Sequence, residues 1–211
     1  MSPTLAALAA FTAAAVLLSI TPGLDTALVV RTSASEGRRA GLAATLGIAL
    51  GCLGWASLTA LGLGALLAAS KLAYEILKWI GAAYLVWMGI RLIVNPRTVL
   101  AETMTASEQR RGALGWFAKG FLTNMLNPKV GVFYVSFLPQ FIPHDAPVGP
   151  FVLLLGVIHA LIGAAWLAFL TGATHKITVA LKRPGMLKLL DRVTGVVFLA
   201  FGARLALESR R

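Results

Sequence analysis

Two prolines interrupt apolar stretches of this chain, and a charged residue stands close to each of them. Pro22 is followed three positions later by Asp25, and Pro128 is followed directly by Lys129. A proline removes a backbone donor from a helix and clashes with the preceding turn. An ionised side chain inside a membrane span costs about 3 kcal/mol on insertion scales, and it typically marks a substrate or proton pathway. The two interruptions are therefore where we expect chemistry.

The candidate site consists of both interruptions and the polar residues beside them. Carbonyl groups that a proline leaves free within a membrane must find partners or line a wet cavity. We expect the two breaks to form a substrate and ion site. The alternative is a pair of helix kinks, in which polar residues cap the freed backbone and Asp25 caps a new helix turn at the interface. The candidate residues are Thr21, Pro22, Gly23, Asp25, Asn124, Asn127, Pro128 and Lys129.

Two further polar residues inside apolar stretches are secondary candidates. Lys119 is predicted at about the depth of Asp25, where it either pairs with Asp25 or extends its ammonium group to the membrane surface. Either Lys119 or Lys129 could be the partner of Asp25. His159 has an apolar background and either bonds a neighbouring carbonyl or relays a proton. The sequence predicts neither a metal site nor a cofactor.

Six apolar stretches account for most of the chain's 211 residues. Hydrophobic residues make up 58% of the sequence and charged residues 13%, against about 25% charged in soluble domains. This composition excludes an ordinary soluble domain, a disordered chain and a nucleic-acid-binding domain. A span needs about 20 apolar residues, so we predict an all-α integral membrane protein with a single domain, residues 1–211. The predicted spans are residues 5–30, 41–69, 72–94, 113–142, 149–172 and 187–207.

The net charge of +11 is distributed unevenly between the segments that join these spans. The first, third and fifth loops carry the most Lys and Arg, and such loops stay in the cytoplasm. Both termini are therefore predicted to lie outside. Residues 1–20 contain no Lys or Arg, which argues against a cleaved signal peptide.

Short similarities between the two halves of the chain indicate an internal repeat. The segment 20–23 around Pro22 resembles 126–129 around Pro128, and the segment 89–92 resembles 202–205. Each half, about 1–97 and 110–211, would hold three spans, and an odd number of spans inverts the second half relative to the first. Inverted repeats with proline-broken helices in matching positions are typical of secondary transporters, with the binding site where the breaks meet.

The same motifs resemble the LysE/RhtB family of amino-acid exporters over almost the whole chain, from Leu8 to about Leu205. Thr21, Pro22, Gly23 and Asp25 match the first family motif, and Asn127, Pro128 and Lys129 match the second. The resemblance also includes the basic loop before Gly41-Leu42 and the stretch 81–85 with Gly89. Leu24 departs from the family, whose members often have a second proline there.

The resemblance implies a carrier in the bacterial inner membrane that exports amino acids or related small metabolites by proton antiport. Its partners would be the small-molecule substrate, protons and the lipid bilayer. A homo-oligomer and a monomer are both compatible with the sequence. In such a carrier, Lys129 and the positive end of a broken helix suit a substrate carboxylate. Asp25 suits an ammonium group or the coupling proton.

Two other functional classes compete with a carrier. A channel or scaffold subunit would need no alternating halves. A membrane-embedded hydrolase would need a nucleophile and a base within reach of each other, and the chain has neither a Gly-x-Ser-x-Gly nor a His-Glu-x-x-His pattern. We therefore expect a transporter and not an enzyme.

Overall fold

A computed structural model describes residues 2–69, 71–96, 112–143, 145–173 and 183–207, and within these ranges all regular structure is helical. The helices are α1 Pro3–Ile20, α2 Leu24–Ser35, α3 Arg38–Ala69, α4 Lys71–Val94, α5 Ala113–Met125, α6 Pro128–Val132, α7 Val148–Gly172 and α8 Pro184–Leu207. Helix α6 continues into a π-helical turn, Phe133–Phe137, and a 3₁₀ turn, Leu138–Phe141.

The all-helical membrane class is confirmed, and among the described residues three helices are long and apolar enough to cross a bilayer. These are Pro3–Ile20, Arg38–Gly62 and Val148–Gly172, and a shorter apolar helix covers Trp79–Val94. Helices α3, α4, α7 and α8 begin and end within three residues of the predicted spans. The arrangement of six spans as two inverted halves stays a prediction. The predicted orientation also stays a prediction, and much of the third and fifth loops, on which it rests, lies outside the described residues.

Both predicted interruptions occur where the prolines stand. Helix α1 ends at Ile20, and α2 begins at Leu24 after the N-cap residue Gly23. Helix α5 ends at Met125, and Pro128 is the first residue of α6. The first helical position tolerates proline because its N–H would have no helical partner there. Each predicted broken span is therefore two consecutive helices.

Helix α3 occupies the centre of the fold and packs along both α5 and α7. The crossing of α3 and α5 depends on two glycines, because a Cβ at Gly47 would collide with the carbonyl of Phe117, and one at Gly120 with the carbonyl of Ala44. In lipid, such close backbone approach replaces the hydrophobic effect as the source of helix association. The crossing holds the α5 side of the second break against α3.

Gly120→Ala is therefore expected to lower the free energy of unfolding by about 3 kcal/mol, since the added methyl group meets backbone that cannot move aside. Thermal unfolding of the purified protein in detergent measures this effect. Gly62→Ala is the matched control, because a Cβ at Gly62 has no heavy atom within 4 Å. Equal stability of the two variants would contradict the close crossing.

Helices α4 and α8 form a second packed pair whose contacts are reciprocal. A Cβ at Gly89 would lie 2.7 Å from the carbonyl oxygen of Gly195, and one at Gly202 would lie 3.1 Å from that of Ala82. Gly89 and Gly202 are 113 positions apart, and so are Ala82 and Gly195. Exchanging the two helices therefore maps one contact onto the other, as a twofold relation between them requires.

Candidate functional site

Residues from both helix breaks line one cavity of about 50 Å³. A water molecule needs roughly 10–15 Å³ on such a scale, so the cavity has room for a few waters and is smaller than an amino acid. Helices α3 and α7 complete its wall. The lining residues are Leu18, Ser19, Thr21, Gly23, Asp25, Thr26, Ile48, Cys52, Asn124, Asn127, Lys129, Val130, His159, Gly163 and Leu167.

Most of the residues predicted from sequence meet at this cavity. The six polar or small members of the candidate set line it, as does His159. Pro22 is buried and Pro128 is exposed; neither is a lining residue, and both act by shaping the backbone. Lys119 is also absent from the lining, whereas Lys129 lines the cavity together with Asp25.

Lys129 closes the end of α1. Its Nζ donates hydrogen bonds to the carbonyl oxygens of Leu18 and Thr21, each at 2.9 Å. In an uninterrupted helix the Leu18 carbonyl would accept from the N–H of residue 22, which proline lacks. A cation at a helix C-terminus also opposes the helix dipole favourably. Lys129 therefore replaces the backbone donor that Pro22 removes, as in the alternative that polar residues cap the freed backbone; the sequence did not indicate that the capping residue comes from the other break.

Asp25 lies in the first turn of α2, where a negative charge is favoured by the helix dipole. Its Oδ2 accepts a hydrogen bond of 2.8 Å from Nδ2 of Asn124 on α5. The N-cap of α2 is Gly23, which has no side chain to bond the helix start. The alternative that Asp25 caps the new helix is therefore wrong, and its carboxylate instead connects the two breaks.

Three residues that line the cavity carry a buried side-chain oxygen with no hydrogen-bond partner among the described residues. These oxygens are Oδ1 of Asp25, Oδ1 of Asn124 and Oγ of Ser19. The Asn124 oxygen lies against Gly51, since a Cβ built there would be 2.6 Å from it. A buried acceptor left unsatisfied costs about 1–3 kcal/mol. The cavity thus offers acceptors to a donor group that enters it.

His159 is buried and bonds a hydroxyl group, not the backbone carbonyl considered from sequence. Its Nδ1 lies 3.0 Å from the hydroxyl oxygen of Tyr134, and its ring lies against Phe133. Tyr134 belongs to the π-helical turn after α6, a type of turn that is frequent at functional sites. A role in proton relay stays a prediction.

Two further residues, Cys52 and Thr194, bond members of the candidate site and were not predicted from the sequence. Cys52 accepts a 3.6 Å hydrogen bond from Nδ2 of Asn124. Thr194 of α8 lies 2.6 Å from Thr21, hydroxyl to hydroxyl, and so connects α8 to the first break. Thr194 had a weak signal as a polar residue in an apolar stretch, whereas Cys52 resembled any small core residue.

Comparisons with known proteins show the family to which this chain belongs. The family model described as LysE type translocator matches residues 16–209. The chain belongs to the LysE family. This LysE-type translocator is 34% identical over 197 residues to an uncharacterized membrane protein of Vibrio cholerae. The aligned region covers 93% of this chain and 95% of that relative. It is 35% identical over 190 residues to a homoserine/homoserine lactone efflux protein of Salmonella typhimurium. This alignment covers 90% of this chain and 91% of that relative.

No solved structure matches the chain significantly. The family and the relatives identify a membrane transporter and not an enzyme. The predicted resemblance to LysE-type proteins is therefore confirmed.

Proposed function

We propose that this translocator exports amino acids or related small metabolites across the bacterial inner membrane in exchange for protons. The observation that carries the proposal is the carboxylate of Asp25 at the cavity between two broken helices, with Oδ1 buried and without a partner among the described residues. An intramembrane carboxylate is a candidate substrate or proton site by default. The named efflux activity of the Salmonella relative makes homoserine the first substrate to test.

Exchange follows from competition for one oxygen. Asn124 holds Oδ2 of Asp25, so Oδ1 is the atom that either a proton or a substrate ammonium group occupies. The two cannot occupy it together, because each replaces the negative charge that binds the other. If the site changes its access from one side of the membrane to the other only when Asp25 binds a proton or an ammonium group, the carrier moves substrate out and protons in.

Alternation between the two sides is the second part of the proposal. The cavity is too small for an amino acid in this conformation, so substrate entry requires helices around it to separate. Six spans in two inverted halves with both termini outside would supply such an architecture. The broken helices at Pro22 and Pro128 and the reciprocal contacts of Gly89 and Gly202 support the repeat.

Inside-out membrane vesicles containing the protein test this proposal. With an imposed proton gradient, acid inside, we expect uptake of radiolabelled L-homoserine that an uncoupler abolishes. Vesicles from the same host without the protein are the control. Uptake that proceeds at full rate with the uncoupler present would contradict proton exchange, and the absence of uptake of homoserine or any common amino acid would contradict amino-acid export.

A further inference from the structure

Ser19, in the last turn of α1, has a hydroxyl group that does not bond back to its own helix. Serine and threonine within a helix commonly bond the carbonyl four residues earlier. Ser19 Oγ makes no such bond; it is buried, has no partner among the described residues, and its residue lines the cavity. Described residues that do bond back include Thr21, Ser33, Ser35, Thr45, Ser57 and Thr171.

Gly163 lies across from this hydroxyl on α7. A Cβ built at Gly163 would have one heavy-atom neighbour within 4 Å, the Ser19 Oγ at 3.9 Å. Gly156 on the same helix is different, because a Cβ there would collide with Ala56 of α3. Gly156 is therefore needed for helix packing, whereas Gly163 leaves space beside Ser19 that packing does not require.

We propose that Ser19 Oγ joins Asp25 Oδ1 in binding the ammonium group of the substrate. We also propose that the space left by the missing side chain of Gly163 sets the size of the substrate group that fits beside it. This inference rests on the proposed function. An ammonium group has three N–H donors and no acceptor, so it complements a carboxylate and a hydroxyl oxygen. The ligand class is small primary amines, recognised through the amine.

Ser19→Ala tests the hydroxyl. We expect KM for L-homoserine to rise about 10-fold with little change in the maximal rate, as for loss of one hydrogen bond to a charged group. The melting temperature should stay equal or rise, because the substitution removes an unsatisfied buried oxygen. Ser57→Ala is the matched control, since the Ser57 hydroxyl is exposed and bonds the Leu53 carbonyl; this variant should keep the KM of the unmodified protein.

Three related probes separate the amine from the rest of the substrate. L-homoserine and its decarboxylated analogue 3-aminopropan-1-ol should both raise the melting temperature of the purified protein, because ligands stabilise the state they bind. The analogue 4-hydroxybutanoate, which lacks the amine, should not. In Ser19→Ala the shifts from both amines should shrink together. A shift from 4-hydroxybutanoate equal to that from homoserine would overturn recognition through the amine.

Gly163→Ala tests the size limit. The added methyl group enters the cavity without colliding with protein, so we expect unchanged stability and a rise in KM that is larger for L-homoserine than for glycine. Gly62→Ala should change neither KM. An unchanged ratio of the two KM values in Gly163→Ala would overturn the role of Gly163.

The outcomes distinguish this inference from the function on which it rests. If the unmodified protein transports homoserine but Ser19→Ala keeps its KM, only the ammonium site proposed here is overturned. If the unmodified protein transports no amine, the proposed function is overturned and this inference with it.

Discussion

Asp25→Asn is expected to reduce gradient-driven transport by about 100-fold while leaving the amount of folded protein in the membrane unchanged. The amide keeps an oxygen that can accept from Asn124 Nδ2, so the contact between the breaks survives. It removes the charge that we propose binds the ammonium group or the proton, and hydrogen bonds to charged groups contribute about 1.5–3 kcal/mol each. Uptake of labelled homoserine into inside-out vesicles, normalised to folded protein, measures the effect.

The control for this variant is Asp145→Asn, because Asp145 is exposed in the segment before α7. That substitution changes the net charge identically and should leave transport intact. Asp25→Glu keeps the charge but places an additional methylene in a cavity of about 50 Å³, so we expect partial activity. Transport by Asp25→Asn at the rate of the unmodified protein would exclude Asp25 from the mechanism.

Lys129→Met is expected to abolish transport and also to lower the free energy of unfolding by about 3 kcal/mol. The substitution leaves the Leu18 and Thr21 carbonyls without the donor that they now share, and each unsatisfied buried acceptor costs about 1–3 kcal/mol. Thermal unfolding measures the second effect. Lys188→Met is the control, since Lys188 is an exposed lysine on α8, and it should change neither property.

A double-mutant cycle tests the reason for this loss. Pro22→Ala restores a backbone N–H that can donate to the Leu18 carbonyl, which reduces the need for Lys129. The destabilisation caused by Lys129→Met should therefore be smaller in the Pro22→Ala background, by about 1 kcal/mol. Additive effects of the two substitutions would show that Lys129 stabilises the protein in another way.

The positions of the helices and of their breaks were predictable because their causes are local. Apolar runs of sufficient length specify the helices, and Pro22 and Pro128 end them by their own geometry. The convergence of Asp25, Asn124, Asn127 and Lys129 was also predictable, since polar groups in lipid must gather where the backbone is broken.

The partners of these residues were not predictable, because they depend on how distant segments pack. Lys129 contacts carbonyls 108 and 111 positions away. The missing N–H of Pro22 indicates which carbonyl lacks a donor, but it does not indicate which residue supplies one. The unpartnered oxygen of Ser19 and the space at Gly163 exist only once α1 and α7 lie together. Hydropathy and spacing contain no measure of such space.

The cap that Lys129 forms on α1 has a mechanical consequence. Two charge-assisted bonds fasten the start of α6 to the end of α1, so these segments should travel as one rigid body. Between α2 and α5, the hydrogen bond from Asn124 Nδ2 to Asp25 Oδ2 connects the two breaks. A substrate ammonium group bound to Oδ1 would neutralise the charge that strengthens this hydrogen bond, so we expect the carrier to open along the boundary between α2 and α5.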